Sequence, residues 1–293
     1  MMPLFAGLEH IVRENEPLAP YTWFRLGGAA QFFAEPTTVE ELAALVQRSH
    51  REGLPVRVLG GGSNVLVRDE GVPGLVVSLG AAAFGQIRVA GSSIVAGGGA
   101  KLGHVISTAV REGLAGLEML VGIPGTVGGA LRTNASAYSN DIGQYTARAT
   151  VMTRQGEMVV RPREALRFGY RQSSLDELAI LEAQLDLERG DPAYLTKQMQ
   201  QAWILKRAQQ PLLDQPAGMI FKSPGGVSVE SLIKDARLDE ARVGDARICE
   251  RNPNFIVVGP RATSRDVLAL IEQVRSGVAQ RMGVELELAL EVW

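Results

Sequence analysis

Apolar residues recur every third or fourth position through Val267, Leu270, Ile271, Val274 and Val278, the spacing of a helix with one buried face. Thr263 and Asp266 form a capping box at its start, and Gly283 ends it. Thr38-x-x-Glu41 precedes Leu42, Leu45 and Val46 in the same way, for a helix running to about Glu52 and stopped by Gly53 and Pro55. A helix over 101–112 has Gly113 after it. Asp191-Pro192 begins another that reaches Gln209 and presents Leu195, Met199, Ala202 and Leu205. Ser228 caps a short one through Leu232 and Ile233.

Period-two and continuous apolar runs predict strands at 56–59, 65–67, 75–79, 179–187 and 255–258. Hairpins are expected at 87–96 around Gly91 and at 149–160 around Gln155-Gly156, and a last strand over 284–293. The helix from Thr38, with the strands at 56–59, 65–67 and 75–79, reads as part of a β-α-β-turn-β unit. Pro211 and Pro216 bracket the loop that best marks a domain boundary.

Composition narrows the function. The chain has 293 residues, 46% of them hydrophobic, enough to bury a core. Lys and Arg number 30 against 32 Asp and Glu, so no excess of cations points to a nucleic-acid partner. Cys249 is the only cysteine, and His10, His50 and His104 lie in separate segments. No disulfide framework and no metal site is expected. The first 20 residues lack an apolar signal core, and 115–131 is interrupted by Glu118, Pro124 and five glycines, so a cytoplasmic protein without membrane contact is expected.

Glycine is abundant, at 33 residues, and two clusters bear on chemistry. Gly60-Gly61-Gly62-Ser63-Asn64 joins two apolar strands, and Gly122-Ile123-Pro124-Gly125-Thr126-Val127-Gly128-Gly129-Ala130 follows an apolar stretch. Glycine in such places makes tight turns, or it bares main-chain N–H groups to an anion, with Ser63 and Asn64 as further donors. Two clusters favour the second reading, with a pyrophosphate spanning both. Neither matches the dinucleotide or P-loop signature.

These loops belong to a longer ordered set: Thr22-Trp23-Phe24-Arg25-Leu26-Gly27-Gly28, the stretch 59–67, Gly116-Leu117-Glu118, the stretch 122–130, Asn134-Ala135 and Phe168-Gly169-Tyr170-Arg171. Over nearly the whole chain this set resembles the UDP-N-acetylenolpyruvoylglucosamine reductase (UDP-N-acetylmuramate dehydrogenase) family, in its compact subtype. The resemblance implies a vanillyl-alcohol-oxidase-type FAD-binding fold of two subdomains, at 1–80 and 81–190. A helical connection and an α+β substrate domain would follow at 191–293, with the last strand able to return to the FAD domain. It implies FAD as cofactor, NADPH as reductant, a nucleotide-sugar substrate and a monomer. The two glycine clusters, Gly60 to Asn64 and Gly122 to Ala130, would hold the cofactor.

In that family the reduced flavin passes hydride to the enolpyruvyl methylene, an Arg and a Glu stabilise the enolate, and a Ser or Cys protonates the neighbouring carbon. Arg171 matches the arginine and Lys222 a substrate-contacting lysine, with Tyr170, Ser223 and Asn254 as further substrate contacts. Met219 stands at the proton-donor position and Ala289 at that of the Glu. A thioether has no proton to give. Glu287 and Glu291 flank Ala289 on the same strand face. Substitute donors are Cys249, Tyr138 or a water on Ser223. Arg237, Glu240, Asp245 and Glu230 occupy positions where the family has glycine. Two outcomes stand open: a reductase with a rearranged donor, or a catalytically weakened FAD-binding paralogue.

Overall fold

The computed structural model describes residues 3–138, 140–211 and 216–293. The chain divides into two compact units. The first comprises 1–16, 31–61 and 73–205, and the second 17–30, 62–72 and 206–293.

Two larger sheets organise the first unit. A four-stranded one has the order Val12–Pro17, Ala29–Ala34, Val72–Ser78, Val56–Leu59, and its last two strands are parallel. Helix α1, Val39–Arg51, connects Ala29–Ala34 to Val56–Leu59 and buries Leu42, Leu45 and Val46. Thr38 caps it by accepting from Glu41 N–H. The Glu41 carboxylate reaches past the cap to the Thr37 N–H and hydroxyl instead of closing the box on Thr38. A five-stranded antiparallel sheet has the order Met158–Pro162, Thr146–Met152, Ala179–Asp186, Ser93–Gly97, Ile87–Ala90. Helices α2, Leu102–Arg111, and α3, Val127–Arg132, pack with it around Ile94, Leu117, Leu120, Val151 and Leu185.

Helix α3 was not legible in the sequence: two of its six residues are glycines, among the weakest helix formers. Thr126 caps it through Gly129 N–H, and bonds from its first turn to the preceding chain fix it. Helix α4, Pro192–Gln209, starts as expected, with Asp191 accepting from Ala193 N–H at 3.0 Å. It buries Leu195 and Ala202. Leu205 is 57% exposed and does not pack as its spacing suggested. Of the loop between Pro211 and Pro216, 212–215 lie outside the described residues.

The second unit is built on an antiparallel sheet in the order Ala217–Met219, Phe255–Val258, Ala246–Ile248, Arg242–Val243. Helices α5, Val229–Asp235, and α6, Ser264–Met282, close its core over Val267, Leu270, Val274 and Val278. The box at Thr263 and Asp266 closes in both directions, and Gly283 is left-handed. The 284–293 segment is not one long strand. Leu288 makes a single antiparallel bridge to Phe221, and only Glu291–Val292 forms a strand, parallel to Val65–Leu66. Its partners are too short to carry a continuous ladder.

Candidate active site

In the first unit the two glycine segments touch. A Cβ on Gly61 would stand 2.7 Å from Gly125 Cα, and one on Gly60 would stand 2.8 Å from Thr126 Oγ1. The main chains thus approach more closely than side chains allow. Among the described residues, the N–H groups of Gly60 and Gly61 donate to no protein acceptor. Consecutive unspent donors make an anion cradle. The second segment is stitched down: Leu102 N–H donates to Gly125 O at 3.1 Å, Val127 N–H to Ala100 O at 2.9 Å and Gly128 N–H to Gly98 O at 2.8 Å. The first N–H groups of α3 are therefore spent inside the protein. Unspent donors therefore lie on the first glycine loop and not at the start of α3.

A third cluster, Gly97-Gly98-Gly99, was passed over in the sequence, although it lies between a strand and a helix start. Its three N–H groups donate to Gln86, Leu181 and Phe84 carbonyls. A Cβ on these glycines would collide with the carbonyl oxygens of Phe84, Ile180 and Leu79. These glycines serve packing, and through Gly98 they set the height of α3.

The far end of α3 carries Arg171. Asn134, 3% exposed and left-handed at φ +45°, follows the helix. Its Oδ1 accepts from Gly143 N–H at 3.0 Å, and its Nδ2 donates to Gly169 O at 2.9 Å. Ser173 Oγ donates to Arg132 O at 3.1 Å, and the Arg132 guanidinium donates to Leu175 O and Glu177 O at 2.8 and 2.9 Å. These bonds fix the hairpin Phe168–Gly169 with Gln172–Ser173, whose two turn residues are Tyr170 and Arg171. Arg171 holds φ +55°, a conformation that costs an L-residue about 1 kcal/mol. Tyr170 is 55% exposed. A six-residue helix, about 9 Å long, thus ties the glycine cradle to this arginine. Burial pushes the Tyr145 phenol up, against the hydrogen bond it donates to Asn140, so that ring stays neutral.

In the second unit the remaining expected residues converge on one antiparallel contact. Lys222 N–H donates to Glu287 O and Ala289 N–H to Ile220 O, both at 2.8 Å. Met219 and Ala289 are therefore separated by a single residue across this contact. The Lys222 ammonium is ion-paired with the Glu287 carboxylate. Glu291 accepts from the Trp293 indole N–H at 3.4 Å. Both glutamates flanking Ala289 thus already have partners. Asn254 is 4% exposed and spends its amide on Phe221, accepting from the N–H and donating to the carbonyl, each at 2.9 Å. It holds the 219–222 segment in place. Cys249 is buried against Ala217 and Val257.

Asn64 has a second role that the sequence did not signal. Its Nδ2 donates to Ala289 O at 2.8 Å, and its own carbonyl accepts from Glu291 N–H at 3.0 Å. The amide that looked like a cofactor donor locks position 289 to the end of the glycine loop.

Residues 30–161 match a family model described as an FAD binding domain, and 210–293 match one for the C-terminal domain of UDP-N-acetylenolpyruvoylglucosamine reductase. The UDP-N-acetylenolpyruvoylglucosamine reductase of Rhodopirellula baltica is 38% identical over 286 residues, covering 98% of this chain and 94% of that protein. The chain belongs to the UDP-N-acetylenolpyruvoylglucosamine reductase family. A relative named UDP-N-acetylenolpyruvoylglucosamine reductase 2, from Symbiobacterium thermophilum, is 40% identical, covering 100% of this chain and 97% of its own. The crystal structure of the reductase from Thermus caldophilus superposes with a TM-score of 0.83 at 35% identity, over 96% of this chain and 99% of that one. Wild-type Phl p 4.0202, a glucose dehydrogenase, shares the fold at a TM-score of 0.51 and 14% identity, over 64% of this chain and 44% of that one. The expected α+β flavin fold with a C-terminal domain is therefore the one present. The chain is an FAD-dependent, NADPH-linked oxidoreductase of this family, acting on a nucleotide sugar in peptidoglycan precursor synthesis. Among the described residues, no helix is long and apolar enough to cross a membrane.

Proposed function

We propose that the chain reduces UDP-N-acetylglucosamine enolpyruvate to UDP-N-acetylmuramate with its own residues in rearranged catalytic roles. The observation that carries the reading is the cradle: two glycine segments in contact, with the N–H groups of Gly60 and Gly61 left for an anion. FAD, reduced by NADPH, supplies the hydride. Loop N–H groups hold its diphosphate by charge-assisted bonds without side-chain entropy. Arg171, held in a strained turn, presents a fixed cation to the developing enolate. Lys222 binds the anionic substrate, and Ser223 and Tyr170 are further substrate contacts. Its ion pair with Glu287 fixes the ammonium until substrate competes for it.

Proton delivery and the second stabiliser are the altered parts. Met219 offers no proton and Ala289 no carboxylate. A missing general acid costs about 10²–10⁴ in rate, and a missing electrostatic group about 10²–10³. Cys249 is buried away from solvent at 4% exposure, which leaves a water on Ser223 or Tyr138 as the source. Turnover is accordingly slow, in a cytoplasmic monomer that makes no nucleic-acid contact. The test is to purify the chain, identify its bound flavin and assay NADPH oxidation with and without the enolpyruvyl substrate. Yellow protein with substrate-dependent oxidation and UDP-N-acetylmuramate formation supports the reading. Colourless protein that takes up no FAD defeats it. Flavin-bound protein that makes no product leaves the weakened paralogue.

A further inference from the structure

Lys101 lies outside every motif considered so far, and its surroundings give it a role. It precedes α2 and pairs with Thr126 in an isolated antiparallel bridge. The two flanking hydrogen bonds, Leu102 N–H to Gly125 O and Val127 N–H to Ala100 O, make Lys101 and Thr126 the non-hydrogen-bonded pair. Side chains of such a pair leave on the same face with Cβ atoms about 5 Å apart. The Thr126 side chain on that face is the one a Gly60 Cβ would meet at 2.8 Å. The lysine therefore emerges beside the junction of the two glycine segments. It is exposed, and no ion pair or side-chain hydrogen bond engages it among the described residues. A lysine stem has ample length to bring its ammonium over that junction.

We propose that Lys101 is a binding residue for the diphosphate of the flavin nucleotide, closing with one cation a cradle otherwise made of main-chain N–H groups. This rests on the FAD reading above. An unpaired lysine beside the converging N–H groups of Gly60 and Gly61 gains from a doubly charged ligand what no protein carboxylate there supplies. Nearby Thr126 and Gly129 are engaged with one another through the helix cap and leave the charge requirement unmet.

The test uses flavin-stripped full-length protein titrated with FAD and with riboflavin, which has no phosphate, at low and high salt. Lys101→Met should weaken FAD binding by about tenfold or more and flatten its salt dependence. Riboflavin affinity should not change. Lys101→Arg should restore most of the loss, and Lys197→Met, on exposed α4, should behave as wild type. Equal weakening of FAD and riboflavin would show a packing effect and overturn the proposal. So would wild-type FAD affinity and salt slope in Lys101→Met. If the unaltered chain binds no FAD at all, the flavin reading falls and this proposal with it.

Discussion

Gly61→Ala isolates the contact on which the cradle depends. Gly61 does not occupy the left-handed region, so alanine brings no backbone strain, and its Cβ would stand 2.7 Å from Gly125 Cα. Carbon atoms prefer about 3.5–4.0 Å, so one main chain must retreat by about 1 Å, and overpacking of this kind costs about 1–3 kcal/mol. A retreat of 1 Å stretches a charge-assisted bond from about 2.8 Å past hydrogen-bonding range. Two such bonds, at about 1.5 kcal/mol each, correspond to about 100-fold in Kd. Fluorescence titration of stripped protein with FAD reads this directly, with thermal unfolding run in parallel. Gly103→Ala is the control: nothing lies within 4 Å of its Cβ, and it sits in α2. It should leave FAD affinity unchanged and raise stability by up to about 1 kcal/mol. If Gly61→Ala binds FAD within about threefold of wild type, the touching loops are a turn and not a cradle.

Three further outcomes follow from particular residues. Arg171→Gly removes both the cation and the strain of φ +55°; kcat/KM should fall about 100-fold or more with thermal stability unchanged or raised, while Arg171→Lys should recover only part of the activity. Arg237 is exposed and left-handed at φ +54° after α5, so Arg237→Gly should raise the unfolding midpoint by the equivalent of up to about 1 kcal/mol, and a lowered midpoint would contradict the strain assigned to this turn. Asp69 is partly desolvated, which raises its pKa, but the hydrogen bonds with Ser264 and the nearby Arg265 outweigh this and hold it below the ordinary carboxylate value. That stabilisation is present above the unfolded pKa and lost as pH falls through the folded one; Asp69→Ala should cost about 1 kcal/mol at neutral pH, and its melting curves should converge on those of the wild type in acid.

What the sequence disclosed was what is local. The α6 helix, its capping box and its glycine stop read directly from residues 263–283, because periodicity and caps act within one segment. The two glycine clusters read as an anion site because bare main chain is visible as composition. Helix α3 did not read, since its Val-Gly-Gly start is held by Ala100 and Gly98 and not by propensity. Leu205 kept its period but lies 57% exposed, as α4 outruns the core it packs on. Local reading did not show the structural bonds of two amides: Asn64 donates to Ala289 and Asn254 pairs with Phe221, both distant in sequence. The same distance hid the Lys222–Glu287 ion pair. Arg237, expected from the resemblance to stand at a glycine position, holds a left-handed φ of +54°.

The most direct test of a flavin reductase with an altered proton-delivery site is anaerobic rapid mixing of the flavin-loaded chain. NADPH should bleach the visible flavin band, and UDP-N-acetylglucosamine enolpyruvate should then restore it slowly. In the variant carrying Met219→Ser with Ala289→Glu, restoration should be about 100-fold faster. A bleached flavin that the substrate restores in neither protein would contradict the account.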